Sequence, residues 1–66
     1  MEYSEIIRDL LISKKLSQQQ LANILGVNQT TISQWILGNK KPSYDNILAI
    51  YEKFGITPNE LFGINE

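Results

Sequence analysis

Residues 17–42 read SQQQLANILGVNQTTISQWILGNKKP, and the punctuation of this stretch decides the fold. Ser17 followed by Gln20 has the form of a capping box, in which each side chain bonds the other's backbone N–H. Leu16 and Leu21 flank it at the spacing of a hydrophobic staple. A helix therefore starts at Ser17 and runs to about Leu25, where Gly26 supplies a left-handed residue that ends it without a Cβ clash. Asn28 opens a second helix as its N-cap, with Val27 and Ile32 as the staple. Ile32 and Trp35 share one face, with Ile36 beside them, and Trp35 is read as core and not as a stacking platform. The opposite face carries Thr30, Ser33, Gln34 and Leu37, flanked by Gln29 and Thr31. Gly38 closes this helix, and Asn39, Lys40, Lys41 and Pro42 form a loop.

Outward from this centre the chain stays helical. Tyr3, Ile6, Ile7, Leu10 and Leu11 recur at i, i+3, i+4, i+7 and i+8, which predicts one apolar helix face over about 3–13. Ser13, Lys14 and Lys15 are expected to connect it to the next helix. Downstream, Ser43 caps a helix with apolar Ile47, Leu48, Ile50, Tyr51 and Phe54, and Gly55 stops it. Thr57, Pro58 and Glu60 supply N-cap, first helical position and box position for a short last helix ending by Gly63. Nothing alternates with period two long enough to make a strand. The expectation is an all-α, compact five-helix domain spanning 1–66, with no linker, repeat or low-complexity segment.

Composition narrows the chemistry. There is no Cys and no His, so disulfides, thiolate chemistry and the commonest general base and metal ligand are ruled out. No Gly-rich phosphate loop or metal-ligand cluster appears, and the acids sit at capping or solvent positions. An enzyme, a cofactor, a bound metal and a small-molecule substrate are therefore not expected. No apolar run approaches the ~18 residues of a membrane span, and no signal peptide is legible, so the expected location is cytoplasmic.

The net charge is −1, but it is unevenly placed. From Leu10 to Tyr44 there is no acid, while Lys14, Lys15, Lys40 and Lys41 contribute +4; the remainder carries −5. A basic half can dock on phosphates although the whole chain is acidic.

The polar face of the second motif helix suits a DNA major groove. A Gln amide can pair bidentately with adenine, and Thr can hydrogen-bond or set its methyl against that of thymine. Gln29, Thr30 and Thr31 occupy the first turn and Gln34 lies one turn on, at the end of a recognition helix that enters the groove. A second set of contacts is needed for phosphates. Gln18 at a helix start, Asn39, Lys40 and Lys41 just past the recognition helix, and Ser43 at the next helix start are the candidates, with Ser33 alongside them.

At these residues the chain resembles the phage repressor and Cro-like helix-turn-helix family, over about Ile6 to Phe62. The matching features are Gln18, Leu21 and Ala22 in the first motif helix, Gly26 and Val27 in the turn, Ile32, Ser33 and Trp35 in the second, and Gly38 to Ser43 as the ending. The resemblance implies a lambda-repressor-like fold. It also implies that Gln29, Thr30, Thr31 and Gln34 face bases, and that Gln18, Asn39, Lys40, Lys41 and Ser43 touch the backbone. The implied function is a transcriptional regulator, repressor ahead of activator, that binds palindromic operators in double-stranded DNA as a homodimer. Two departures stand out. Many members carry Glu, often paired to a nearby basic residue, where this chain has Ile36, and Leu37 stands where a polar residue is more usual.

Ile56, Leu61, Phe62 and Ile64 form the candidate dimer surface, with core closure as the competing reading of the same residues. The alternative function is an antitoxin-like or cofactor protein-interaction module on the same fold, with the acidic outer helices as partner surface.

Overall fold

The structure is a computed structural model describing residues 2–63, with side chains from Tyr3 onward. Five helices follow one another: α1 (Glu2–Lys14), α2 (Gln18–Leu25), α3 (Gln29–Leu37), α4 (Tyr44–Phe54) and α5 (Pro58–Phe62). No strand occurs among the described residues. The expected all-α, five-helix architecture is the observed one.

The caps form as their residues dictate. Ser17 Oγ accepts from Gln20 N at 3.0 Å while Ser17 N donates to Gln20 Oε1 at 2.8 Å, completing the capping box of α2. Ser43 Oγ accepts from Asn46 N, and Thr57 Oγ1 accepts from Glu60 N, with Pro58 in the first turn of α5. Gly26 sits at φ 73°, ψ 32°. A Cβ there would meet nothing within 4 Å, so the glycine is required by its backbone conformation and not by crowding.

Two local expectations are corrected. Helix α1 continues through Ser13 and Lys14, so the connection is shorter than the sequence suggests. It ends because Lys15 takes a left-handed φ of 55°, letting Leu16 N donate to Leu11 O at 2.9 Å and Lys15 N to Ile12 O at 3.2 Å. This is a Schellman-type ending with lysine in the place usually given to glycine. At α3, Asn28 does occupy the N-cap, but its side chain makes no capping bond. The first turn is closed by the main chain instead, Thr31 N donating to Asn28 O at 3.0 Å.

The core is one cluster: Tyr3, Ile7 and Leu10 from α1, Leu21 and Ala22 from α2, Ile32 and Trp35 from α3, Ile50 from α4 and Leu61 from α5. Fully burying an aliphatic side chain contributes about 1.5–3 kcal/mol, so Ile7, Leu21, Ile32, Ile50 and Leu61, each at most 1% exposed, carry much of the stability. Ala22 is fully buried, and its small side chain lets the helices of the motif approach closely. Helix α3 packs against both α1 and α2, while α5 packs against α1 and α4. Its placement is thus fixed from two sides, and the residues on its remaining side are left to the surface.

Candidate nucleic-acid interface

The groove-reading surface is built on α3, whose inner face is spent on Ile32 and Trp35, 0% and 1% exposed. The 100° advance per residue then turns Gln29 and Thr30 outward, and both are exposed. Thr31 and Gln34, nearer the edge of the packed face, are half-buried. Nine residues at about 1.5 Å each make a rod about 13 Å long. A major groove about 12 Å wide admits a helix, which is about 10–12 Å across with its side chains. Neither Gln29 nor Gln34 uses its side-chain amide in a hydrogen bond among the described residues, so both keep donor and acceptor for a ligand.

The phosphate-facing candidates divide. Asn39, Lys40, Lys41 and Ser43 are exposed, in the loop after α3 and at the cap of α4. The loop is tied to the helix by Asn39 N and Lys40 N, which donate to Gln34 O at 2.9 and 3.3 Å. Lys14, Lys15, Lys40 and Lys41 have no ion-pair partner among the described residues, so their charges are uncompensated locally. Gln18 and Ser33 behave differently. Both are half-buried, and Ser33 Oγ donates to Gln18 Oε1 at 2.6 Å, joining the start of α2 to the middle of α3. Ser33, by sequence a candidate phosphate contact, directs its hydroxyl hydrogen at a neighbouring side chain.

Ile36 has no charge to pair with a basic residue, as the Glu of many family members does. Arg8 of α1 instead donates through Nη2 to the carbonyl oxygen of Ile36 at 3.2 Å. A guanidinium at the last turn of a helix satisfies an orphan carbonyl and complements the helix dipole.

Three exposed residues extend this surface. Leu37 is 69% exposed and continues the line of Thr30 and Gln34 at i, i+4 and i+7. Tyr44, directly after the Ser43 cap, is 73% exposed and is not among the residues that the sequence singles out. Asn28 is exposed with its amide unspent. Sequence reasoning missed that freedom, since Asn at an N-cap is read as the cap itself.

Of the candidate dimer residues, Leu61 is 1% exposed and belongs to the core, so its side chain offers nothing to a second copy. Ile56 and Phe62 are half-buried. Phe62 spends one side on Tyr3, with ring centroids 5.9 Å apart. Ile64 lies outside the described residues. Among the described residues no group of acids could hold a metal ion, and no helix is long and apolar enough to cross a membrane.

Comparison with known proteins agrees with this geometry. A helix-turn-helix domain family matches residues 5–63. The chain is similar to the HTH-type transcriptional activator BcrR of Enterococcus faecalis, 36% identical over 66 residues, which cover all of this chain and 32% of the relative. It is also similar to the cryptic phage CTXphi transcriptional repressor RstR of Vibrio cholerae, 28% identical over 64 residues, covering 97% of this chain and 58% of the relative. The chain thus spans about a third of one curated relative and somewhat over half of the other. No solved structure matches it significantly. With the family covering nearly the whole chain and both helices of the motif in place, the chain belongs to the helix-turn-helix domain family.

Proposed function

We propose that residues 1–66 form a single sequence-specific DNA-binding unit of a transcriptional regulator, with α3 laid in the major groove of its operator. The observation that carries this reading is the outward face of α3. Gln29, Thr30, Thr31 and Gln34 lie at or near the surface with no acid among them, on a helix fixed from behind by α1 and α2. Amide and hydroxyl groups read base edges, and the unpaired lysines of the flanking segments supply phosphate attraction that carries no sequence information. The unit acts as a binding module and not as an enzyme, needs no cofactor, and works in the cytoplasm.

A homodimer on DNA completes the reading. A rod of about 13 Å covers only a few base pairs, and two copies on half-sites one helical turn apart, about 34 Å, supply the remaining affinity. Ile56 and Phe62 are the accessible members of the proposed contact. Of the two regulatory directions, repression is the one carried by this reading, as the name of the phage relative has it, while the other relative is named an activator.

Selection of binding sequences from random duplex oligonucleotides at moderate salt tests the reading. The expected result is an enriched motif with two-fold symmetry. Recovery of no motif would remove the DNA-reading role, and an enriched motif without symmetry, bound by a monomer, would remove the dimer alone.

A further inference from the structure

We infer that Ser33 is a positioning residue for Gln18: it fixes which end of the Gln18 amide faces DNA, and does not itself contact the duplex. The inference rests on the DNA-reading role proposed above. Ser33 lies in the middle of α3, with base-reading candidates on either side, and would be taken for one more groove contact. Its Oγ is instead 2.6 Å from Gln18 Oε1, across a half-buried junction between the two motif helices.

The structure sets Oε1, and not Nε2, opposite the serine hydroxyl, and the distance agrees with that orientation. A separation of 2.6 Å lies inside the usual range for O–H···O, about 2.5–3.0 Å, and below that for N–H···O, about 2.7–3.2 Å. The serine hydroxyl is therefore the donor, and the carbonyl end of the glutamine amide is the acceptor. The consequence falls on the other end of that amide. With Oε1 held inward, Nε2 is turned away from Ser33, and it has no partner among the described residues. Nε2 is donor only, and a phosphate oxygen is acceptor only. A flipped amide would present Oε1 to the phosphate, acceptor against acceptor, which is repulsive. One hydroxyl on the recognition helix thus sets the donor polarity of a residue at the start of the preceding helix. It also ties the register of α2 on the backbone to the depth of α3 in the groove.

The test uses the intact chain, the operator recovered by selection, and that operator with single phosphates replaced by neutral methylphosphonates. For the wild-type protein, one replacement opposite the start of α2 is expected to weaken binding several-fold. For Ser33→Ala and for Gln18→Ala the same replacement is expected to cost nothing further. Ser33→Ala is expected to lose about 3–10-fold in affinity on the unmodified operator, as for one hydrogen bond, with the selected motif unchanged. Ser33→Thr, which retains a hydroxyl, is expected to recover the phosphate effect. The double variant Ser33→Ala with Gln18→Ala should bind no worse than Gln18→Ala alone. Additive losses, or a changed base preference in Ser33→Ala, would overturn the positioning role while leaving DNA reading intact. A wild-type chain that selects no operator would overturn both. Thermal unfolding of each variant separates loss of fold from loss of contact.

Discussion

Arg8 Nη2 donates to the carbonyl oxygen of Ile36 at 3.2 Å, so the first helix holds the last turn of the recognition helix through its main chain. A main-chain acceptor is present whatever side chain occupies position 36. The clamp therefore coexists with an isoleucine that turns toward the core, where it packs as a partly buried residue. The bond is exposed to solvent, which screens it. Arg8→Ala is expected to lower stability by about 0.5–1 kcal/mol, read as a shift of the urea midpoint at unchanged slope. A midpoint unmoved by the substitution would show that the contact contributes nothing.

Base reading by the outward side of α3 has a magnitude attached. Gln29→Ala or Gln34→Ala is each expected to cost about 1–3 kcal/mol on the selected operator and to relax preference at one base position. Competition between the operator and its single-base variants measures this. Equal losses on every sequence would assign the glutamines to the backbone instead.

The loop lysines should act in the opposite manner. Lys40→Ala and Lys41→Ala are expected to weaken binding to specific and nonspecific duplexes alike, each flattening the slope of log K against log salt by about 1. Both residues are exposed, so thermal stability should stay within about 0.5 kcal/mol of wild type. A titration series at several salt concentrations decides the point, and an unchanged slope would place that lysine off the DNA.

Lys15 stores strain at the end of α1, where its φ of 55° brings Cβ toward the carbonyl oxygen. Lys15→Gly should relieve this and raise stability by about 1 kcal/mol, or about 4–8 °C in Tm for a domain of this size. Calorimetry showing a fall in Tm would mean that the lysine makes a compensating interaction through its side chain.

Tyr3 is 3% exposed, and its hydroxyl has no hydrogen-bond partner among the described residues. A buried polar atom without a partner carries its full desolvation cost. Tyr3→Phe keeps the ring against Phe62 and is expected to be neutral or to stabilise by about 1 kcal/mol. Tyr3→Ala empties the same space and should cost about 3–5 kcal/mol. Destabilisation by Tyr3→Phe would show that the hydroxyl contributes a favourable interaction.

The capping signals, the glycine stops and the apolar periodicity were local, and they were legible. Ser17 with Gln20, Gly26, Ser43, and Thr57 with Pro58 act within a single turn, so four residues specify the outcome without help from the rest of the chain. The inward pair Ile32 and Trp35 followed from helix geometry in the same way, and with it the outward direction of Gln29 and Thr30.

Whatever depended on residues distant in sequence had no local signature. Leu61 and Phe62 are neighbours of similar apolar character, yet packing of α5 against α1 and α4 leaves the first 1% exposed and the second half-open. Ser33 meets Gln18 fifteen residues away, and Arg8 meets Ile36 twenty-eight residues away. The identity of Ser, Gln or Arg states what hydrogen bonds it can make, and periodicity states which way it leaves its helix. Only the packing of α3 against α1 and α2 decides which donor arrives opposite which acceptor, because that pairing depends on distances between helices that no single helix contains.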